Sequence, residues 1–127
     1  AFAVGAEGIQ MGTRFVSSKE SPVHENFKNY IFDSPPNGTW ILNKNSKPVI
    51  RALRTDFTKE ILDAGEMDIS AMRKIQDLYF GGDMNAAPAL SGQSAGLIDG
   101  IKSAEEIIED TIREFNETCS KLGGLKL

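Results

Sequence analysis

The sequence contains one cysteine, Cys119, and one histidine, His24, among its 127 residues. A single cysteine excludes an intramolecular disulfide, and with one histidine it leaves too few ligands for a zinc site of the usual Cys/His type. The cysteine usage is typical of a reducing compartment, so we expect a cytoplasmic protein.

Positive charge and long apolar runs are also scarce. The chain has 14 Lys and Arg against 18 Asp and Glu, a net charge of −4, and no basic block stands out. This excludes a general attraction for nucleic acid or an anionic membrane. No apolar run approaches the ~20 residues needed to cross a bilayer, and no stretch has the basic-then-apolar pattern of a signal segment, so we expect a soluble protein. The phosphate-binding patterns G-x-x-x-x-G-K-[ST] and G-x-G-x-x-G are absent as well, which weighs against a nucleoside triphosphatase or a dinucleotide-binding domain.

The length and the 40% hydrophobic content allow one domain with a real core. The first residues, AFAVG, read as the last turn of a helix that ends at Gly5, with no earlier turns before it. We therefore expect the chain to be part of a longer polypeptide. Gly8–Met11 then has the length and character of a buried strand that ends at Gly12.

The middle of the chain predicts short elements separated by turns. Ser21-Pro22 marks a helix start, with serine as the cap and proline at the first position. Strands are predicted at Thr39–Leu42 and at Val49-Ile50. Two helices follow, and we expect them to form a separate layer: one opens at Thr55-Asp56 and stops at Gly65, and the other opens at Asp68 and runs to Tyr79.

The final helix has the clearest signals. Ser103 and Glu106 form an S-x-x-E capping box, and Gly123 predicts the end. An apolar stripe predicts the buried face and comprises Ile108, Ile112, Phe115, Cys119 and Leu122. The opposite face predicts the i,i+4 ion pairs Glu109–Arg113 and Glu117–Lys121.

The turn at Gly12-Thr13 is the candidate for chemistry. At the carboxyl end of a strand in an α/β fold, bare main-chain N–H groups suit an anionic ligand. The same residues also fit a plain turn, with Gly12 giving freedom and Thr13 a cap. Arg14 could add charge there or serve in packing. From the spacing alone, these alternatives remain open.

Three stretches resemble the nitronate monooxygenase (2-nitropropane dioxygenase) family, which includes the flavin-dependent enoyl-acyl carrier protein reductase II. The most specific is GAEGIQMGTRF with its continuation ESPVHENFK, and PVIRAL and SGQSAGLI follow in order. The resemblance implies the C-terminal part of an α/β protein, a (β/α)₈ TIM barrel that binds FMN, with a mainly helical substrate-side subdomain. It implies three regions: 1–16, the end of the seventh helix and the eighth strand; 17–90, the helical subdomain; and 91–127, the return to the barrel.

The resemblance also implies a cofactor site and an activity. The FMN-side residues would be those that end the eighth strand: Gln10, Met11, Gly12 and Thr13. The loop at Gly92-Gln93 would approach the flavin. The implied reaction is oxidation of an alkyl nitronate to a carbonyl compound and nitrite. The alternative is NADH-dependent reduction of an enoyl thioester on acyl carrier protein. The family's catalytic histidine lies upstream of this segment, so we expect no turnover by these residues alone. An alternative of another class is a non-catalytic helical interaction module.

Other noticeable side chains are interpreted as structural. His24 is expected to cap or pack, Trp40 to be partly buried, and Cys119 to be buried and inert. Met67, Met72 and Met84 lack companions that would ligate a metal, and the acidic run 105–110 suits a helix N-terminus. A lone strand at residues 9–11 needs neighbours, so we expect further sequence, a homo-oligomer or a loosened N-terminus.

Overall fold

The computed structural model describes residues 1–125 as a helix-rich chain with one small sheet. Its α-helices are Thr13–Val16 (α1), Glu25–Phe32 (α2), Asp56–Ala64 (α3), Ile75–Tyr79 (α4) and Ala104–Gly123 (α5). Three 3₁₀ turns occupy Phe2–Val4, Ile69–Met72 and Gln93–Leu97. The strands are Thr39–Leu42 (β1) and Ile50–Leu53 (β2).

The two strands form an antiparallel hairpin with Thr39 opposite Leu53. Both strands are therefore confirmed, although β2 extends three residues beyond the predicted Val49-Ile50. A third segment lies along β2, because the Leu53 N–H donates to the Ala89 carbonyl at 2.8 Å and Ala52 bridges Leu90. This pairing holds residues 89–91, which lead into Gly92, against the edge of the sheet.

Two apolar clusters hold the chain together. The larger cluster surrounds Phe27 and Ile31 of α2 and includes Leu53, Leu78 and four side chains from 87–98, which are Ala87, Ala89, Ala95 and Ile98. The smaller one joins the hairpin to α3 through three buried side chains, Leu42, Ala52 and Ile61. The predicted separate layer is thus present for α3, which packs on β1.

The helix α3 has the predicted limits. The Thr58 N–H donates to the Thr55 hydroxyl at 3.2 Å, and the Thr55 N–H donates to the Thr58 hydroxyl at 2.8 Å. Gly65 ends the helix with φ of 82°, in the left-handed region that glycine adopts at low cost. The stop at Gly5, with φ of 94°, is confirmed in the same way.

Two helix predictions were partly wrong. The helix predicted from Ser21 begins at Glu25, because His24 takes the cap position: its N–H is bonded to the Tyr79 carbonyl at 2.6 Å. The helix predicted from Asp68 to Tyr79 is split into the 69–72 turn and α4. The 69–72 turn packs Ala71 on the smaller cluster while α4 buries Leu78 in the larger one, so one straight helix could not serve both.

The strand predicted at Gly8–Met11 is absent from the structure, where this segment is irregular. A strand needs a neighbour to exchange main-chain hydrogen bonds, and no segment within residues 1–125 pairs with it in a sheet. The segment therefore lacks the neighbouring strand that its sequence pattern would require.

The helix α5 begins at the predicted capping box and ends at Gly123. Its predicted buried stripe is instead exposed: Ile112 is 57% and Phe115 44% accessible, and the buried residue of α5 is Ile107. The N-terminal segment approaches this face, with the Phe2 and Phe115 ring centroids 5.0 Å apart. None of the helices in this part of the chain has the length and apolar character of a bilayer span.

The two predicted ion pairs on α5 are not observed among the described residues. Arg113 pairs instead with Asp110 at 2.7 Å and with Glu117 at 3.2 Å. One guanidinium thus bridges carboxylates three positions before it and four positions after it.

Candidate functional site

The turn at Gly12 leaves its main chain open. Gly12 is exposed, and a Cβ placed on it would meet no atom within 4 Å. Its carbonyl accepts the Phe15 and Val16 N–H groups, both at 3.0 Å, which starts α1. In residues 1–125, the N–H groups of Gly12, Thr13 and Arg14 donate to no acceptor. The turn therefore presents unpaired donors on an accessible surface.

Thr13 connects this turn to the second glycine-containing motif. The Gly92 N–H donates to Thr13 Oγ1 at 2.7 Å, across 79 positions of sequence. Gly92 is in turn held by its neighbours, because the Ser91 N–H donates to the Arg51 carbonyl at 3.2 Å and the Ala95 N–H to the Gly92 carbonyl at 3.2 Å. The sheet edge and the 93–97 turn thus fix the position of the donor that reaches Thr13.

A cleft of about 570 Å³ lies between these two motifs. One wall is the 10–14 segment, so the four predicted FMN-side residues line the same cleft. The other wall is formed by Gly92, Ser94, Leu97 and Ile98. The fold therefore brings together the QMGT and SGQSAGLI motifs that the sequence separates by about eighty residues.

The cleft presents hydrogen-bond donors, but its lining offers no general acid or base. Of the residues that line it, Arg14 alone carries an ionisable side chain, so no lining carboxylate, thiol or imidazole comes from the part of the chain described. An arginine stays charged at all working pH values and cannot exchange protons with a substrate. The catalytic groups of a reaction at this cleft would have to come from elsewhere.

Arg14 is primarily a structural clamp. Its Nη1 donates to the Gly100 carbonyl at 2.7 Å, and the side chain is half-buried. This bond ties α1 to the loop before α5. The neighbouring Lys19 N–H reinforces it by donating to the Lys102 carbonyl at 3.0 Å. Of the two roles open to Arg14, packing is the one that the contacts support.

Ser91 is a buried polar residue that the sequence did not single out. It is 8% exposed, and its hydroxyl has no hydrogen-bond partner within residues 1–125. It lies on a second face of the same region, a hollow of about 400 Å³ lined also by Gly12, Thr13 and Arg51. Its position beside Gly92 in a run of small residues was the available signal.

His24 has the predicted capping role. The Asn26 N–H donates to His24 Nδ1 at 3.1 Å at the start of α2. The side chain packs closely on Gly82, and it is not among the residues lining the cleft. It is therefore a structural residue in this part of the chain.

Trp40 is half-buried beside the smaller cluster, with the Arg54 guanidinium carbon 5.3 Å from its ring centroid, so its predicted packing role is confirmed. The predicted burial of Cys119 was wrong, because the α5 face that carries it is uncovered.

Met67 packs on the smaller cluster and Met84 on the larger, while Met72 is half-buried. Residues 1–125 contain no group of three or more His, Cys, Asp and Glu placed to hold a metal.

The largest pKa shifts belong to two carboxylates of α5, outside the cleft. The Ser103 N–H, bonded to the Glu106 carboxylate at 2.6 Å, and the Lys19 ammonium at 3.0 Å lower the pKa of Glu106 to about 2. Hydrogen bonds from Lys102 and Arg113 lower the pKa of Asp110 to about 2 as well. These carboxylates stabilise the start of the helix and the loop before it.

Comparison with known proteins identifies the family. The family model for nitronate monooxygenase matches residues 1–114. A probable nitronate monooxygenase of Staphylococcus saprophyticus is 27% identical over 93% of this chain and 35% of its own length. A hydroxy-methyl-oxo-octahydroindene-carboxyl-CoA dehydrogenase of Rhodococcus jostii is 24% identical over 99% of this chain and 48% of its own length.

Solved structures agree with this assignment. FabK from Thermotoga maritima is 40% identical over 97% of this chain and 41% of its own, with a TM-score of 0.84. A point mutant of the same protein gives 41% identity, coverage of 97% and 38%, and a TM-score of 0.81. The chain spans less than half the length of each of these relatives, and its fold is that of the corresponding segment of a (β/α)₈ barrel. Proteins of this type are flavin-dependent oxidoreductases. With a match to the family model over residues 1–114, the chain belongs to the nitronate monooxygenase family.

Proposed function

We propose that this chain supplies the phosphate-binding part of an FMN-dependent oxidoreductase, and that residues 10–13 are its flavin-side residues. The observation that carries the proposal is the open turn at Gly12, where three successive N–H groups have no acceptor in the described chain. An unpaired N–H group at an accessible turn is a good donor to a phosphate oxygen.

The residues present fit such a group. Gly12 leaves space for a phosphate to approach the main chain, since no atom lies within 4 Å of the place where a Cβ would stand. Thr13 offers a hydroxyl beside the N–H groups, and Arg14 holds the turn against the 100–102 loop. Bound FMN would supply the hydride and electron transfer, and this chain would bind and orient it.

Among substrates, we favour an enoyl thioester carried on acyl carrier protein, with NADH as the reductant. FabK is the enoyl-acyl carrier protein reductase of the family, and the identity to its structures is 40–41%, compared with 27% to the probable nitronate monooxygenase. The Rhodococcus relative is named for a CoA thioester, which is the same chemical class.

Oxidation of an alkyl nitronate is the second candidate. It is supported by the family model, which covers residues 1–114, and by the Staphylococcus relative. The same matches favour an enzyme over the non-catalytic helical interaction module. The division into regions 1–16, 17–90 and 91–127 remains our proposal for how the segment contributes to the barrel.

One experiment tests the cofactor and separates the two substrates. The complete protein is purified, its flavin is released and identified, and two assays are run in parallel. The first follows NADH oxidation with an enoyl thioester, and the second follows oxygen consumption with an alkyl nitronate. We expect FMN and thioester-dependent NADH oxidation. Activity with the nitronate alone would reverse the substrate assignment, and a protein unable to bind FMN would overturn the proposed function.

A further inference from the structure

The contact between Thr13 and Gly92 bears on how the proposed phosphate site is built, and this inference rests on the proposed function. A threonine hydroxyl has one proton to donate and two lone pairs to accept with. The Gly92 N–H, 2.7 Å from Thr13 Oγ1, occupies a lone pair. The hydroxyl proton must therefore point away from Gly92, and residues 1–125 offer it no acceptor.

Thr13 lines the cleft together with Gly12. A hydroxyl proton that points away from Gly92 is therefore available to a ligand in the cleft. A donor bonded into the hydroxyl oxygen also polarises it and strengthens the bond that the hydroxyl itself donates. The Gly92 N–H thus prepares Thr13 as a donor toward an oxyanion in the cleft.

Residue 92 is glycine because a side chain there would crowd Thr13. Its φ of −74° and ψ of 162° are ordinary extended values that any residue adopts, so the backbone does not require glycine. A Cβ at this position would lie 3.1 Å from Thr13 Oγ1, closer than a comfortable contact. A side chain here would therefore displace the hydroxyl by a few tenths of an ångström.

We propose that Gly92 is a positioning residue for the flavin phosphate: its N–H holds the Thr13 hydroxyl so that the hydroxyl donates to a phosphate oxygen. The support on which Gly92 rests is rigid, because the 89–92 segment is bonded to β2 through the Leu53–Ala89 and Ser91–Arg51 main-chain bonds. A donor held by a sheet edge keeps its geometry better than one held by a free loop.

The test compares two flavins that differ in the phosphate. The complete protein is stripped of flavin, and the dissociation constants of FMN and riboflavin are measured by fluorescence quenching. In Thr13→Val we expect FMN to bind about 10- to 100-fold more weakly, the value of a hydrogen bond to a charged group, and riboflavin to change less than about twofold. Thr13→Ser, which retains the hydroxyl, should bind FMN within about threefold of the parent.

Gly92→Ala should weaken FMN binding about 3- to 10-fold and leave riboflavin binding unchanged, since the substitution disturbs the Thr13 hydroxyl donor without removing it. Added to Thr13→Val, it should cause no further loss, because its effect acts through the hydroxyl. Gly123→Ala is the matched control, a glycine whose Cβ would meet nothing within 4 Å. It should leave both affinities unchanged.

The outcomes are distinguishable. Equal loss of FMN and riboflavin in Gly92→Ala, or a full effect of that change in the Thr13→Val background, would overturn the positioning role while the flavin site stands. Equal affinity of the parent protein for FMN and riboflavin would also overturn it. Failure of the parent to bind either flavin would overturn the proposed function itself.

Discussion

Arg14 donates from Nη1 to the carbonyl oxygen of Gly100 at 2.7 Å, although the two residues are 86 positions apart. The bond links the turn at the start of α1 to the loop that precedes α5. It also holds one wall of the cleft, since Arg14 directly follows the Gly12-Thr13 turn.

Arg14→Ala should lower the free energy of unfolding by about 1.5 kcal/mol, the lower end for a hydrogen bond with a charged donor, because the side chain is only half-buried. Urea unfolding followed by circular dichroism measures the loss. Arg73→Ala, at an exposed position, is the control and should change it by less than about 0.5 kcal/mol. Equal effects of the two substitutions would show that the Arg14–Gly100 bond contributes nothing.

Gly82→Ala should be more damaging than Gly65→Ala, although both glycines have left-handed φ values, 76° and 82°. The strain of that conformation costs each alanine about 1–2 kcal/mol. At Gly82 the new Cβ would also overlap the His24 imidazole, whereas at Gly65 it would meet nothing within 4 Å. We expect the clash to add about 1–3 kcal/mol, measured as a difference in thermal or urea stability. Indistinguishable losses would contradict the tight His24–Gly82 packing.

Glu106 should make the stability of the chain sensitive to acid. Its pKa is lowered from an ordinary value of 4.5 to about 2 in the folded protein, so its contribution is complete above pH 4.5 and is lost as the pH falls toward 2. Over this window the parent should lose more stability than Glu106→Gln, which cannot titrate. Unfolding midpoints measured from pH 6 to pH 2 test this.

The control for that series is Glu105→Gln, which removes the neighbouring exposed carboxylate. It should keep the acid sensitivity of the parent. A Glu106→Gln profile parallel to that of the parent would show that the Ser103 and Lys19 contacts do not lower the pKa of this carboxyl in solution.

Alanine substitutions at two adjacent isoleucines of α5 should lower the free energy of unfolding by very different amounts. Ile107 is 2% exposed and Ile108 is 48% exposed. Ile107→Ala should cost about 2–4 kcal/mol, the value for a buried large-to-small change, and Ile108→Ala less than about 0.5 kcal/mol. Urea unfolding of the 127-residue chain measures both. Similar losses would mean that the outer face of α5 is covered in solution.

Most helix limits were readable from the sequence because they depend on hydrogen bonds within four residues. Thr55 with Thr58 and Ser103 with Glu106 form capping boxes whose partners are three positions apart. The segment from Ser21 to His24 shows where this fails. The local pattern favoured Ser21, but a bond from His24 to Tyr79, 55 positions away, placed the helix start three residues later than the cap pattern implied.

The sequence by itself determined the family resemblance, the capped and glycine-terminated helices and the candidate turn at Gly12-Thr13, since all of these are written in neighbouring residues. Only the tertiary structure decided that Thr13 meets Gly92, that residues 8–11 form no strand and that the α5 stripe with Cys119 is exposed. Periodicity shows which side of a helix is apolar, but burial and strand pairing require a partner surface, and that partner is set by contacts far apart along the chain.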